Sequence, residues 1–191
     1  MSRWIARITV FVLLGVLVNQ QAGAQDDAAA FLKASAPAEQ HKKLQSLVGS
    51  WDLAIKIPMG PDGKPAEVKG NIAYKSILGG RFIQEEAKTE IFGRPFEWVG
   101  MYGYDKTQSK YVAIWADSFN TIIEHGDGDA DEAGKSVTLV GHTVRPGGMK
   151  EKFHWVITFP VDGKLSIDMF SVNKDDSRGP KMMEMTGTKA K

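Results

Sequence analysis

The chain has 191 residues, no cysteine and a formal net charge of +1, with 42% hydrophobic and 25% charged residues. That length suits one domain with a real core. The near-neutral balance gives no electrostatic case for a nucleic-acid partner, and the absence of Cys removes disulfides, thiol chemistry and thiolate metal sites.

The first residues read as a secretory signal. Arg3 and Arg7 make a positive start, Ile8 to Val18 is an apolar run, and Ala22-Gly23-Ala24 supplies small residues for cleavage after Ala24. The run is shorter than the ~20 apolar residues a bilayer span needs, and no Cys follows it to carry a lipid. Removing residues 1–24 leaves 167 residues and takes away two Arg and no acid, so the net charge moves to about −1. The expectation is an exported protein, periplasmic or extracellular, with no membrane span in the mature chain.

Residues 25–36 are Ala-rich and polar and read as a flexible N-terminal segment. From residue 37 to 191 the pattern is that of one β-barrel domain. It opens on a short helix over Pro37 to Val48, with Leu44, Leu47 and Val48 at helical spacing and Gly49 to end it. From Ser50 the period changes to two. Trp51, Leu53, Ile55 and Ile57 alternate in a first strand, and residues 59–64 (MGPDGK) carry turn chemistry. Val68, Ile72 and Tyr74 mark a second strand closed by Gly79-Gly80. A third runs from Phe82 to Ile91. Phe96, Trp98, Tyr102 and Tyr104 share a face of a fourth, and Tyr111, Ala113 and Trp115 mark a fifth. Thr121 to His125 reads as a sixth, Gly126 to Gly134 as an acidic turn, and Val137 to Val144 as a seventh. Phe153, Trp155, Ile157 and Phe159 alternate in an eighth. Leu165 to Val172 and Met182 to Thr188 complete about ten short strands with turns at regular spacing, which predicts an all-β antiparallel barrel or sandwich.

Leu47-Val48-Gly49-Ser50-Trp51 has the Leu-x-Gly-x-Trp form found where a helix leads into the first strand of lipocalin-like barrels. Together with Gly79-Gly80-Arg81-Phe82, Gly103-Tyr104-Asp105 and Trp115-Ala116-Asp117-Ser118, it makes the chain from His41 to Lys191 resemble the family called domain of unknown function 1579. The resemblance implies that these roughly ten strands, counted from the spacing, close into a lipocalin-like, calycin-like barrel, and it implies no activity. Gly49 and Trp51 are expected to plug the end of the barrel: Gly49 turns the chain without a Cβ clash, and Trp51 fills the opening.

Few residues offer chemistry. The four His form no metal-binding pair. His41 falls in the helix, His125 at a strand end and His154 on the outward face, so only His142 is a candidate for the lumen, where haem ligation is the one cofactor alternative. No cofactor or metal is otherwise expected. Asp127-Gly128-Asp129-Ala130-Asp131 starts like a Ca²⁺ loop but lacks the required Gly and the terminal Glu, so it reads as a solvated tip. Glu85 and Asp117 share faces with apolar residues and could act as acid and base inside a barrel, or lie solvated near its mouths. The four Arg after residue 24, Arg81, Arg94, Arg145 and Arg178, all sit beside Gly or Pro at strand ends, so none offers a mid-strand clamp for a carboxylate ligand.

Three functions therefore compete. One is a binding module for a small, mostly apolar, uncharged or weakly charged ligand, with Trp98, Tyr102, Trp115, Phe153 and Trp155 as walls and Glu85, Asp117 and His142 as polar candidates. The second is an enzyme using Glu85, Asp117 or His142. The third is a structural or interaction barrel with a filled core.

Overall fold

The computed structural model describes residues 27–58, 64–144 and 147–191. The expected signal, the tip of the first turn and the Arg145-Pro146 step lie outside them. Residues 27–35 are helical (α1) and belong to a separate compact unit that ends at Pro37. The second unit, Ala38–Lys191, holds a short helix, α2 (Glu39–Gln45), and ten strands. These are β1 (Gly49–Ile57), β2 (Ala66–Ile77), β3 (Phe82–Ile91), β4 (Arg94–Asp105), β5 (Lys110–Asp117), β6 (Glu124–Ala130), β7 (Ser136–Val144), β8 (Lys150–Val161), β9 (Lys164–Val172) and β10 (Arg178–Lys189).

Every strand pairs antiparallel with its neighbours in sequence, and β1 pairs with both β2 and β10, so the sheet closes into a barrel. Closure leaves no exposed strand edge. The alternation that marks the strands in sequence is the alternation between lumen and solvent: in β1, Trp51, Leu53 and Ile55 are buried and Asp52, Ala54 and Lys56 are exposed. Among the described residues no helix is long and apolar enough to cross a membrane.

The helix end of the barrel is packed solid. Leu44 and Leu47 of the α2 region are buried, and Trp51 is 1% exposed, its Nε1 donating to the Leu47 carbonyl at 2.8 Å. Gly49 has φ +129°, a conformation L side chains avoid, and a Cβ there would meet Lys189 Cε at 2.9 Å. Lys189 in turn lies 4.7 Å above the Trp51 ring and donates to the Val48 carbonyl. His41 is buried in the same region, accepting from the Ala38 N–H at 2.9 Å and meeting Tyr104 edge-on.

Two sequence expectations need correction. The sixth strand is Glu124–Ala130, not Thr121 to His125, and the stretch expected to be an acidic turn is mostly strand. Gly and Asp are poor strand formers, yet here Gly126 and Gly128 point inward and are buried while His125, Asp127 and Asp129 point to solvent. The real turn is at residues 131–134, where Asp131 accepts from Lys135 and Ser136. The second correction is His142. Val137, Leu139 and Gly141 take the inward positions of β7, so His142 faces out and stacks on His125, its register partner, with ring centroids 5.3 Å apart.

Candidate functional site

At mid-barrel a polar cluster sits inside an apolar shell. Glu85 of β3 is 0% exposed. One carboxylate oxygen accepts from Trp98 Nε1 at 2.5 Å, the other from the Tyr102 hydroxyl at 2.7 Å. That hydroxyl accepts in turn from Trp115 Nε1 at 2.8 Å. The register explains the meeting: Glu85 is opposite Tyr74 on one side and opposite Gly100 on the other, and Gly100 is opposite Trp115. A Cβ on Gly100 would lie 3.0 Å from Trp115 Cδ1 and 3.3 Å from a Glu85 oxygen, so glycine leaves the room the cluster fills.

Burial raises the Glu85 carboxyl above its ordinary value, and the hydrogen bonds from Tyr102 and Trp98, with the nearby Tyr74 hydroxyl, pull the other way. The Tyr74 hydroxyl faces this carboxylate closely enough to affect it, but stands outside hydrogen-bond geometry; Trp155 Nε1, beside the Tyr102 hydroxyl, does the same. Burial, and then the charge of Glu85, raise both Tyr74 and Tyr102 well above a free phenol.

Above the cluster, towards the end away from α2, lies a cavity of about 200 Å³. Ile55, Ile91, Phe96, Trp98, Trp115, Phe153, Trp155, Met169 and Met183 make its walls, with Asp117 and Glu124 at its opening. Space is made by missing side chains. The Phe153 ring lies over bare Gly141, where a Cβ would stand 2.1 Å from Cζ, and Trp115 lies over Gly126, where it would stand 3.2 Å from Cη2. The cavity opens into a wider vestibule lined in part by Phe119, Ile122, Val144 and Met182.

The residues singled out from sequence separate into three groups. Trp98, Trp115, Phe153, Trp155 and Asp117 line the cavity. Tyr102 and Glu85 lie beneath it, bonded to the indoles that form its floor. His142 is outside the barrel, so it has no lumen in which to hold a haem iron. Asp117 and Glu85 do not form a catalytic pair. Asp117 closes the turn after β5, accepting from the Phe119 and Asn120 amides and from Asn120 Nδ2, while Glu85 is sealed under Trp98 and Trp115. Sequence reasoning missed Tyr74, Phe96, Glu124, Met169 and Met183. Phe96 shares the inward parity of Trp98, and Tyr74 that of Ile72, so the alternation contained both signals.

Among the described residues no group of His, Asp and Glu converges to hold a metal ion. No curated protein matches the chain in sequence. The solved structures that share its fold at low identity include the following two. Rv2717c from M. tuberculosis is 14% identical, with a TM-score of 0.56 over 82% of this chain and 100% of that one. The S-type phycobiliprotein lyase CPES from Guillardia theta is 12% identical, with a TM-score of 0.52 over 84% of this chain and 96% of that one. These likenesses fit a barrel of the lipocalin-like kind. Residues 36–189 match the family described as "Protein of unknown function (DUF1579)", and the chain belongs to it.

Proposed function

We propose that this protein is an exported binding module for a small, mostly apolar molecule that carries no negative charge. The observation that carries the reading is the cavity of about 200 Å³ at the open end, walled by aromatic, Met and Ile side chains. A dry cavity of ~150 Å³ already holds benzene, so this one suits a ligand, or the head of a ligand, of similar size. A barrel that served only as a packed scaffold would fill this end as it fills the helix end. The enzyme reading has less support, because Glu85 is closed off from the cavity and Asp117 is engaged in its turn. Export rests on the signal-like start at residues 1–24. The lyase from Guillardia theta shares the fold alone and lends no ligand.

The test uses the protein cut after Ala24, which retains four Trp, three of them lining the cavity. Titration with hexan-1-ol should change the Trp emission saturably, and hexanoate at pH 7 should bind more weakly, since no described Arg or Lys lines the cavity. Met183→Phe, which fills the cavity, should abolish the response. An unsaturable signal, or one unaffected by that substitution, would sink the binding reading; tighter binding of hexanoate would overturn its account of the ligand's charge.

A further inference from the structure

The cavity's walls and charges point to a narrower ligand class. Trp98 and Trp115 turn their N–H edges down to Glu85 and Tyr102, leaving ring carbon towards the space above. Phe153 has its ring against the Gly141 backbone, so one face is on the wall and the other is towards the lumen. Neighbouring rings are tilted, by 35° between Phe96 and Trp98 and by 56° between Trp115 and each of Phe153 and Trp155. They therefore curve around the cavity instead of stacking flat. Aromatic faces carry negative potential, and indoles whose N–H groups donate into a network ending on a carboxylate are polarised further in that sense.

The charges agree. Asp117 and Glu124 stand at the opening, and among the described residues no Lys or Arg lines the cavity. Lys150, Lys152 and Lys174 lie further out in the vestibule, where Lys152 is paired with Asp176 at 2.8 Å. Three hydrogen bonds from its own turn hold the Asp117 carboxylate in place, so its charge stays at the cavity mouth. A compact primary ammonium needs several acceptors to replace its water, and the walls supply almost none. A diffuse cation dressed in alkyl groups needs only ring faces and a nearby negative charge.

Resting on the binding reading above, we infer that the ligand is a small organic cation of the quaternary or tertiary ammonium type, with its alkyl groups among Trp98, Trp115 and Phe153 and its charge towards Asp117. The cavity of about 200 Å³ accommodates a trialkylammonium head and one short substituent.

The test separates charge from shape with two molecules of nearly the same outline, choline and its neutral carbon isostere 3,3-dimethylbutan-1-ol, titrated calorimetrically into the mature protein. Choline should bind on the order of tenfold tighter. Asp117→Asn keeps an acceptor for the turn amides; it should weaken choline several-fold and leave the alcohol unchanged. Binding of the alcohol as tight as choline, or an Asp117→Asn protein that holds choline undiminished, would overturn the cationic class while leaving the binding reading intact. If neither probe binds, and hexan-1-ol does not either, the binding reading falls and this inference with it.

Discussion

Removing the acceptor at Glu85 and removing only its charge should have different consequences. Glu85→Ala strips the partner from Trp98 Nε1 and from the Tyr102 hydroxyl, both buried. Each orphaned donor costs about 1–3 kcal/mol, and the vacated space adds on the order of 1–2 kcal/mol. At pH 5 Glu85→Ala should therefore lose roughly 3–8 kcal/mol. Glu85→Gln keeps one oxygen and the shape, and the Tyr102 hydroxyl can rotate to accept from the amide, so at pH 5 it should stay within about 1 kcal/mol of the parent. The pH dependence then distinguishes them. The folded-state pKa of Glu85 lies above the unfolded value of about 4.3, so the folded protein holds the proton more tightly. This contribution to stability is present in full below the unfolded pKa and is lost as pH rises through the folded one. Gln cannot ionise, so the Glu85→Gln variant should gain on the parent between pH 5 and pH 9. Urea melts of the three proteins at both pH values are the assay. Parallel stability curves for parent and Gln variant, or a Glu85→Ala loss below ~1 kcal/mol, would refute this account of the cluster.

Trp51→Ala should cost about 3–5 kcal/mol in urea melts, because the ring is buried and its Nε1 caps the Leu47 carbonyl; a loss under ~1 kcal/mol would mean it plugs nothing. Gly141→Ala should destabilise by about 1–3 kcal/mol, since the new methyl would drive the Phe153 ring into the cavity. The same change should weaken hexan-1-ol binding, whereas His125→Ala on the outer face of β6 should do neither. Intact-mass analysis of the exported protein should give a chain beginning at Gln25, and a mass that retains residues 1–24 would end the export proposal.

The strands legible in sequence were those whose inward residues are large. Phe82–Ile91 and the alternation of Phe153, Trp155 and Ile157 carry the period of two in side chains that cannot be mistaken for turn residues. In β6 the inward residues are Gly126 and Gly128, and the outward ones are His125, Asp127 and Asp129. That strand has period two in burial and none in hydrophobicity, so composition alone reads it as a turn. His142 failed for the opposite reason. Both faces of β7 carry apolar residues, with Val140 and Val144 outside and Val137 and Leu139 inside, and a strand apolar on both faces does not declare which is the lumen.

The cavity follows from the same fact. Its walls were legible because Trp98, Trp115, Phe153 and Trp155 are conspicuous, but a wall residue and a core residue look alike in sequence. What separates the open end from the packed helix end is where side chains are missing. Gly126 and Gly141 let Trp115 and Phe153 lie back against the sheet, whereas on β7 nearer the helix end Val137 and Leu139 project inward and fill. Gly100 does the same for the Glu85 cluster, and so anchors the two indoles that form the floor. An inventory of chemistry-bearing residues passes over glycine, yet in this barrel glycine decides which aromatic rings enclose a space and which pack against one another.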